Sequence, residues 1–80
     1  MPEEALFKTE EARTRGEIAT VLSDAADQIE GGTVELTDAG KTETVTIPED
    51  PTLEVELERV TDSETGEGYY ELEYEITWPV

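Results

Sequence analysis

Two stretches of this chain alternate apolar and polar side chains without a break. Leu53-Glu54-Val55-Glu56-Leu57-Glu58 is the first. The second runs from Tyr70 to Trp78, with Tyr70, Leu72, Tyr74, Ile76 and Trp78 at one parity and Glu71, Glu73, Glu75 and Thr77 at the other. Only an extended backbone sorts a period of two onto separate faces, because successive Cβ atoms of a strand point to opposite sides. Wound into a helix, the same residues would spread around the whole circumference. The pattern predicts two paired antiparallel strands, with an oily face turned inward and an anionic face in water.

The rest of the chain supplies one helix and more strand. Ala5 to Thr9 reads as a short first strand with Leu6 or Phe7 inward. Thr14-Arg15-Gly16-Glu17 has the spacing of a capping box. Ile18, Val21, Leu22, Ala25 and Ile29 then follow as one helical stripe, which the pair Gly31-Gly32 ends. Val34 and Leu36 alternate with Thr33, Glu35 and Thr37. Val45 and Ile47 alternate with Thr44 and Thr46, and the turn residues Asp38-Ala39-Gly40 between them imply a hairpin. Pro48 and Pro51 bracket a short connection, and Thr61 to Gly68 forms the last loop. The expected fold class is α+β: a single mostly antiparallel sheet in the order β-α-β-β-β-β, with one amphipathic helix packed across one face. A length of 80 residues fits one small domain, residues 1–80, with a marginal core.

Charge narrows the function classes. The chain has 22 acidic and 5 basic residues, for a net charge of −17. The apolar residues, 35% of the total, fall at helix and strand periods. An ordered pattern under so much negative charge points to a folded protein of a salty cytoplasm and argues against a disordered acidic tail. The opening Met1-Pro2-Glu3-Glu4 has no signal-peptide character, and no apolar run is long enough to span a membrane. With only Lys8, Arg13, Arg15, Lys41 and Arg59 as cations, there is no patch to neutralise phosphates, and direct nucleic-acid binding is not expected. Mimicry of a nucleic acid by the acidic face remains open on charge alone.

Catalytic chemistry finds few handles. With no cysteine and no histidine, the chain has neither thiolate ligands nor the commonest general base. Ser23 and Ser63 therefore lack the usual activating partner of a nucleophilic serine. Paired carboxylates abound, but acid–base work needs two of them in a cleft, whereas these fall on the open side of a strand pair. Asp62 to Glu67 faintly resembles a calcium loop, yet its sixth position is Glu67 and not the glycine that an EF-hand needs. No enzyme activity, cofactor or metal site is expected, only diffuse association of cations with the acidic face. Tyr70, Tyr74 and Trp78 are the interaction candidates, since aromatic residues are enriched at interfaces.

Taken together, Leu6 to Glu11, the helix from Ile18 to its glycine pair, Leu53 to Glu58, and Glu71 to Trp78 resemble the small haloarchaeal proteins of the amphi-Trp domain family. That family takes its name from an amphipathic final strand ending in tryptophan. Thr77 departs from its pattern, in which an acidic residue usually precedes the tryptophan. The resemblance implies a halophilic archaeal source and brings no activity or catalytic residues with it. The functional expectation is a cytoplasmic, non-enzymatic interaction module that binds a protein partner or a second copy of itself. The alternatives are a small-molecule binder with a pocket between helix and sheet, lined by Tyr70, Tyr74 and Trp78, and the acidic nucleic-acid mimic.

Salt decides whether such a face is tolerable. Carboxylates at i and i+2 stand about 7 Å apart. About half of their repulsion survives at 0.1 M salt and about a tenth at 1 M. The melting temperature should therefore climb steeply as KCl rises from tens of millimolar to molar. A flat curve over that range removes the salt-adaptation argument.

Overall fold

A computed structural model describes residues 2–80 and gives the element order helix, then four strands. These are α1 (Arg15–Gly31), β1 (Thr33–Asp38), β2 (Lys41–Thr46), β3 (Thr52–Thr61) and β4 (Gly68–Thr77). The α+β class holds, but the strands form two separate antiparallel pairs, β1–β2 and β3–β4, and not one sheet. Contacts gather the chain into two compact units, Met1–Glu49 and Asp50–Val80. Residues 5–9 form no strand. A five-residue stretch cannot hold extended geometry on its pattern alone, and it has no ladder partner. Phe7 is nonetheless half-buried there while Leu6 is exposed.

In the first unit, α1 starts where the capping box predicts. The Glu17 N–H donates to Thr14 Oγ1 at 3.1 Å, and the Thr14 N–H donates back to Glu17 Oε1 at 3.1 Å. The bond from the Thr14 N–H, and after it the Thr14 hydroxyl, hold the Glu17 carboxyl below its ordinary pKa of 4.5. Gly32 ends the helix in the left-handed region at φ 88°, with its N–H on the Ile29 carbonyl. The chain turns straight into β1, and the helix packs against that strand through its C-terminal half. Ala25, Gln28, Ile29 and Val34 are all half-buried. Toward the other end, Ile18, Val21 and Leu22 stay exposed.

The β1–β2 turn places Ala39 at φ 46° and Gly40 at φ 81°, the doubly positive geometry of a type I′ hairpin turn. In the second unit, the six-residue turn between β3 and β4 is organised by Asp62. Its Oδ1 accepts from the N–H of Glu64 at 2.8 Å and of Thr65 at 3.4 Å. Gly66 follows at φ 76°. Where β4 begins, a Cβ on Gly68 would lie 2.8 Å from the Val60 carbonyl oxygen, so the strand closes there only because a side chain is missing.

No described residue is fully buried. This corrects the expectation of an inward oily face on the last two strands. The face forms as predicted, but its own unit contains neither a helix nor a third strand to cover it. The helix packs on β1, the strand joined to it by the glycine pair.

Ala39 is the one non-glycine residue at positive φ among the described residues, and its Cβ is unfavourable there by about 1 kcal/mol. Asparagine tolerates that region and favours this turn. Ala39→Asn should therefore stabilise the chain by about 1 kcal/mol in denaturant titration. Unchanged or lowered stability would contradict the turn assignment.

Candidate functional site

The β3–β4 ribbon sorts its side chains by cross-strand register. Leu53 faces Ile76, Val55 faces Tyr74, Leu57 faces Leu72 and Arg59 faces Tyr70. On the opposite side, Glu54 faces Glu75, Glu56 faces Glu73 and Glu58 faces Glu71. The Asp62 N–H donates to the Glu67 carbonyl at 2.7 Å, continuing the ladder past the strand ends. Counting back by two from that pair puts all three glutamate pairs at hydrogen-bonded positions and the apolar pairs at non-hydrogen-bonded ones. The Cα atoms of the first kind lie about 5.5 Å apart and those of the second about 4.5 Å. The register thus gives the anions the wider spacing and the apolar pairs the closer contact.

The apolar side is open to solvent. Leu53, Val55, Leu57, Tyr70, Leu72 and Tyr74 are all more than half exposed, with Tyr70 reaching 71%. Ile76 is half-buried. Of the three aromatic candidates, Tyr70 and Tyr74 stand on this face, four residues apart along β4. Trp78 is half-buried and follows the last paired residue, at the ribbon end where Pro51 leads into β3.

The acidic side has one electrostatic centre. Glu56, half-buried, sits in the middle of the ladder with Glu54 and Glu58 on its own strand and Glu73 across from it. A hydrogen bond with the Glu58 carboxyl raises the Glu56 pKa most. The charge of Glu58, partial loss of solvent, and the charges of Glu54 and Glu73 add to it, and together they push it up from 4.5 to about 7. Below that pH, a proton on Glu56 removes one anion from the most crowded point. Among the described residues, no three acidic side chains converge at metal-binding spacing. Asp62 spends its Oδ1 on shaping its own loop.

A second feature lies wholly within the first unit. An open groove of about 490 Å³ runs between α1, β1 and the segment before the helix. Its apolar lining is Phe7, Ile18, Val21, Leu22, Val34 and Leu36, and its acidic rim is Glu11, Asp24, Glu35 and Asp38. Arg13 also lines it and is tied to Glu11 at 2.6 Å. The lining of this groove does not include Tyr70, Tyr74 or Trp78. A pocket between helix and sheet is among the expectations from the sequence, but with none of these lining residues. The available signal was the every-second-residue spacing of Phe7, Thr9, Glu11 and Arg13, which all face the groove as an extended arm would present them.

The chain is matched along its whole length by a known family. Residues 1–80 match the Amphi-Trp domain, and the chain belongs to that family. No curated protein and no solved structure matches it. No described helix is long and apolar enough to cross a membrane.

Glu56 sets a pH dependence. Its folded pKa of about 7 lies above the ordinary 4.5, so between those values the folded chain holds a proton that the unfolded chain has released. The stabilisation is therefore complete below about 4.5 and drains away as the pH climbs through about 7. At fixed ionic strength, the melting temperature should be higher at pH 5 than at pH 8. Glu56→Gln, which is neutral throughout, should flatten that difference. An equal pH response in the variant and the parent would rule out Glu56 as its source.

Proposed function

We propose that this chain is a non-enzymatic interaction module of a salt-rich cytoplasm, of haloarchaeal origin, that self-associates through the apolar face of its β3–β4 ribbon. The exposed row of Leu53, Val55, Leu57, Leu72, Tyr70 and Tyr74 carries this reading. A second copy laid face to face would pack the two rows as a sheet-on-sheet contact about 10 Å thick, with both glutamate ladders outward. No carboxylate of the ribbon enters that contact, so two chains of net charge −17 approach on the side where repulsion is least. An anionic membrane or a nucleic acid fits the same surface poorly, because the whole chain repels it.

Size sets the strength. Strands of 10 residues are about 33 Å long, and two of them are about 10 Å wide, a projected patch of about 330 Å². That is the scale of a functional apolar patch. It falls below the roughly 800 Å² of accessible surface that each partner buries in a standard stable interface. The expected association is weak, concentration-dependent and strengthened by salt, which screens the charges and favours apolar burial.

Sedimentation equilibrium in molar KCl should show a monomer–dimer exchange that weakens at low salt. Leu72→Asp, which puts an anion in the middle of the apolar row, should leave only monomer. Monomer alone at every concentration of the parent chain would sink the proposal.

A further inference from the structure

The ladder of the first hairpin says which backbone groups of β1 point away from β2. The Glu35 N–H donates to Gln28 Oε1 at 2.7 Å, so Glu35 turns its backbone outward. The Ile47 N–H donates to the Gly32 carbonyl at 2.8 Å, which puts the even-numbered residues of β1 in the hydrogen-bonded pairs with β2. Thr37, two residues from Glu35, then also presents its N–H and carbonyl outward. Thr37 Oγ1 and Thr42 Oγ1 lie 3.5 Å apart, in keeping with the close side chains of a non-hydrogen-bonded pair. Among the described residues, the Thr37 N–H has no partner.

This edge borders the groove, which Val34 to Asp38 line on one side. Gln28 already fills one position there, and its side-chain amide offers the Glu35 N–H the same kind of carbonyl oxygen that a neighbouring strand would. The apolar lining is accessible: Ile18 is 48% exposed, Val21 and Leu22 are 52% and Leu36 is 41%. The rim carries four carboxylates and one guanidinium, and that guanidinium is engaged by Glu11.

We infer that the outer edge of β1 is an acceptor for an added strand, and that its occupant is an extended peptide segment alternating apolar and basic residues. Backbone pairing at Thr37 supplies the register. Alternate apolar side chains drop between α1 and β1 beside Val34 and Leu36, and the intervening lysines or arginines leave on the opposite face of the sheet, beside Glu35. The groove volume of about 490 Å³ suits a short segment of this kind and lies within the range of ligand sites. Every residue in the argument belongs to the first unit, so this proposal and self-association through the β3–β4 ribbon stand or fall separately.

The probe is an acetylated, amidated peptide of alternating valine and lysine, added to the full chain in molar KCl, where diffuse attraction is screened. Two controls accompany it, one with glutamate in place of lysine and one N-methylated on alternate amides. Amide-resolved NMR should show saturable shifts confined to residues 7–13, α1 and Val34 to Asp38, with slowed exchange at the Thr37 amide. The N-methylated and glutamate peptides should bind at least tenfold more weakly. Thr37→Pro removes the outward donor without touching a β1–β2 bond and should weaken binding by a similar factor. Should that variant not fold, the N-methylated peptide on the parent chain tests the same hydrogen bond. Equal binding of the N-methylated peptide overturns the proposal. So do shifts spread over the Glu54–Glu75 ladder that vanish as KCl is raised, and so does an absence of binding.

Discussion

The second unit depends on a coupling between side-chain parity and strand register. Every glutamate of β3 and β4 in the ladder faces another glutamate, and every apolar residue of Leu53, Val55 and Leu57 faces another apolar one. A slip of one residue in either strand would set carboxylates among the leucines and tyrosines, leaving the charges without full solvation. Mutual repulsion of six anions is the lesser cost, because solvent ions relieve it and the hydrogen-bonded positions give it the wider spacing. The register is thus enforced by what it prevents. The turn reinforces it, since Asp62 ties the loop and Gly66 supplies the left-handed residue.

The first unit is organised by backbone groups that find partners close in sequence. Thr14 and Glu17 satisfy each other at the helix start, Gly32 folds back on Ile29 and forward to Ile47, and Gln28 reaches the Glu35 N–H. Apart from the Gly32–Ile47 bond, which the hairpin brings together, these bonds span few residues, so ordering them costs little loop entropy. They hold α1 on β1 although no side chain there is fully buried. The exposed N-terminal half of the helix stripe is what remains once the short connection has decided where the helix lies.

Local chemistry was legible in the residues, and long-range pairing was not. The capping box, the glycine pair, the two hairpin turns and the alternation of Leu53 to Glu58 each carry their signal within a few positions, and each is present. Alternation states which face is apolar but not what covers it, so the oily side of the ribbon was expected inside and stands open. The single sheet was inferred by joining hairpins at their edges, and edge groups carry no sequence label that names a neighbour. The five residues around Phe7 are too short a pattern to specify a strand. The lining of the groove is not legible in the sequence, because it depends on Phe7, Val21 and Leu36 meeting, residues from three segments with no shared periodicity. Tyr70 and Tyr74 fall on the apolar face that the alternation gives them, and the raised Glu56 pKa follows from the carboxylates gathered on the other, its hydrogen bond with Glu58 first.

Gly68 bears on how freely such a sequence can drift. Almost every position of the ribbon is solvated, and there one polar residue can replace another while the alternation survives. At position 68, the Val60 carbonyl stands where a methyl group would have to go, and the clash is with main chain, which no rotamer change relieves. The most permissive stretch of the molecule thus contains a point where a hydrogen atom is the only admissible side chain.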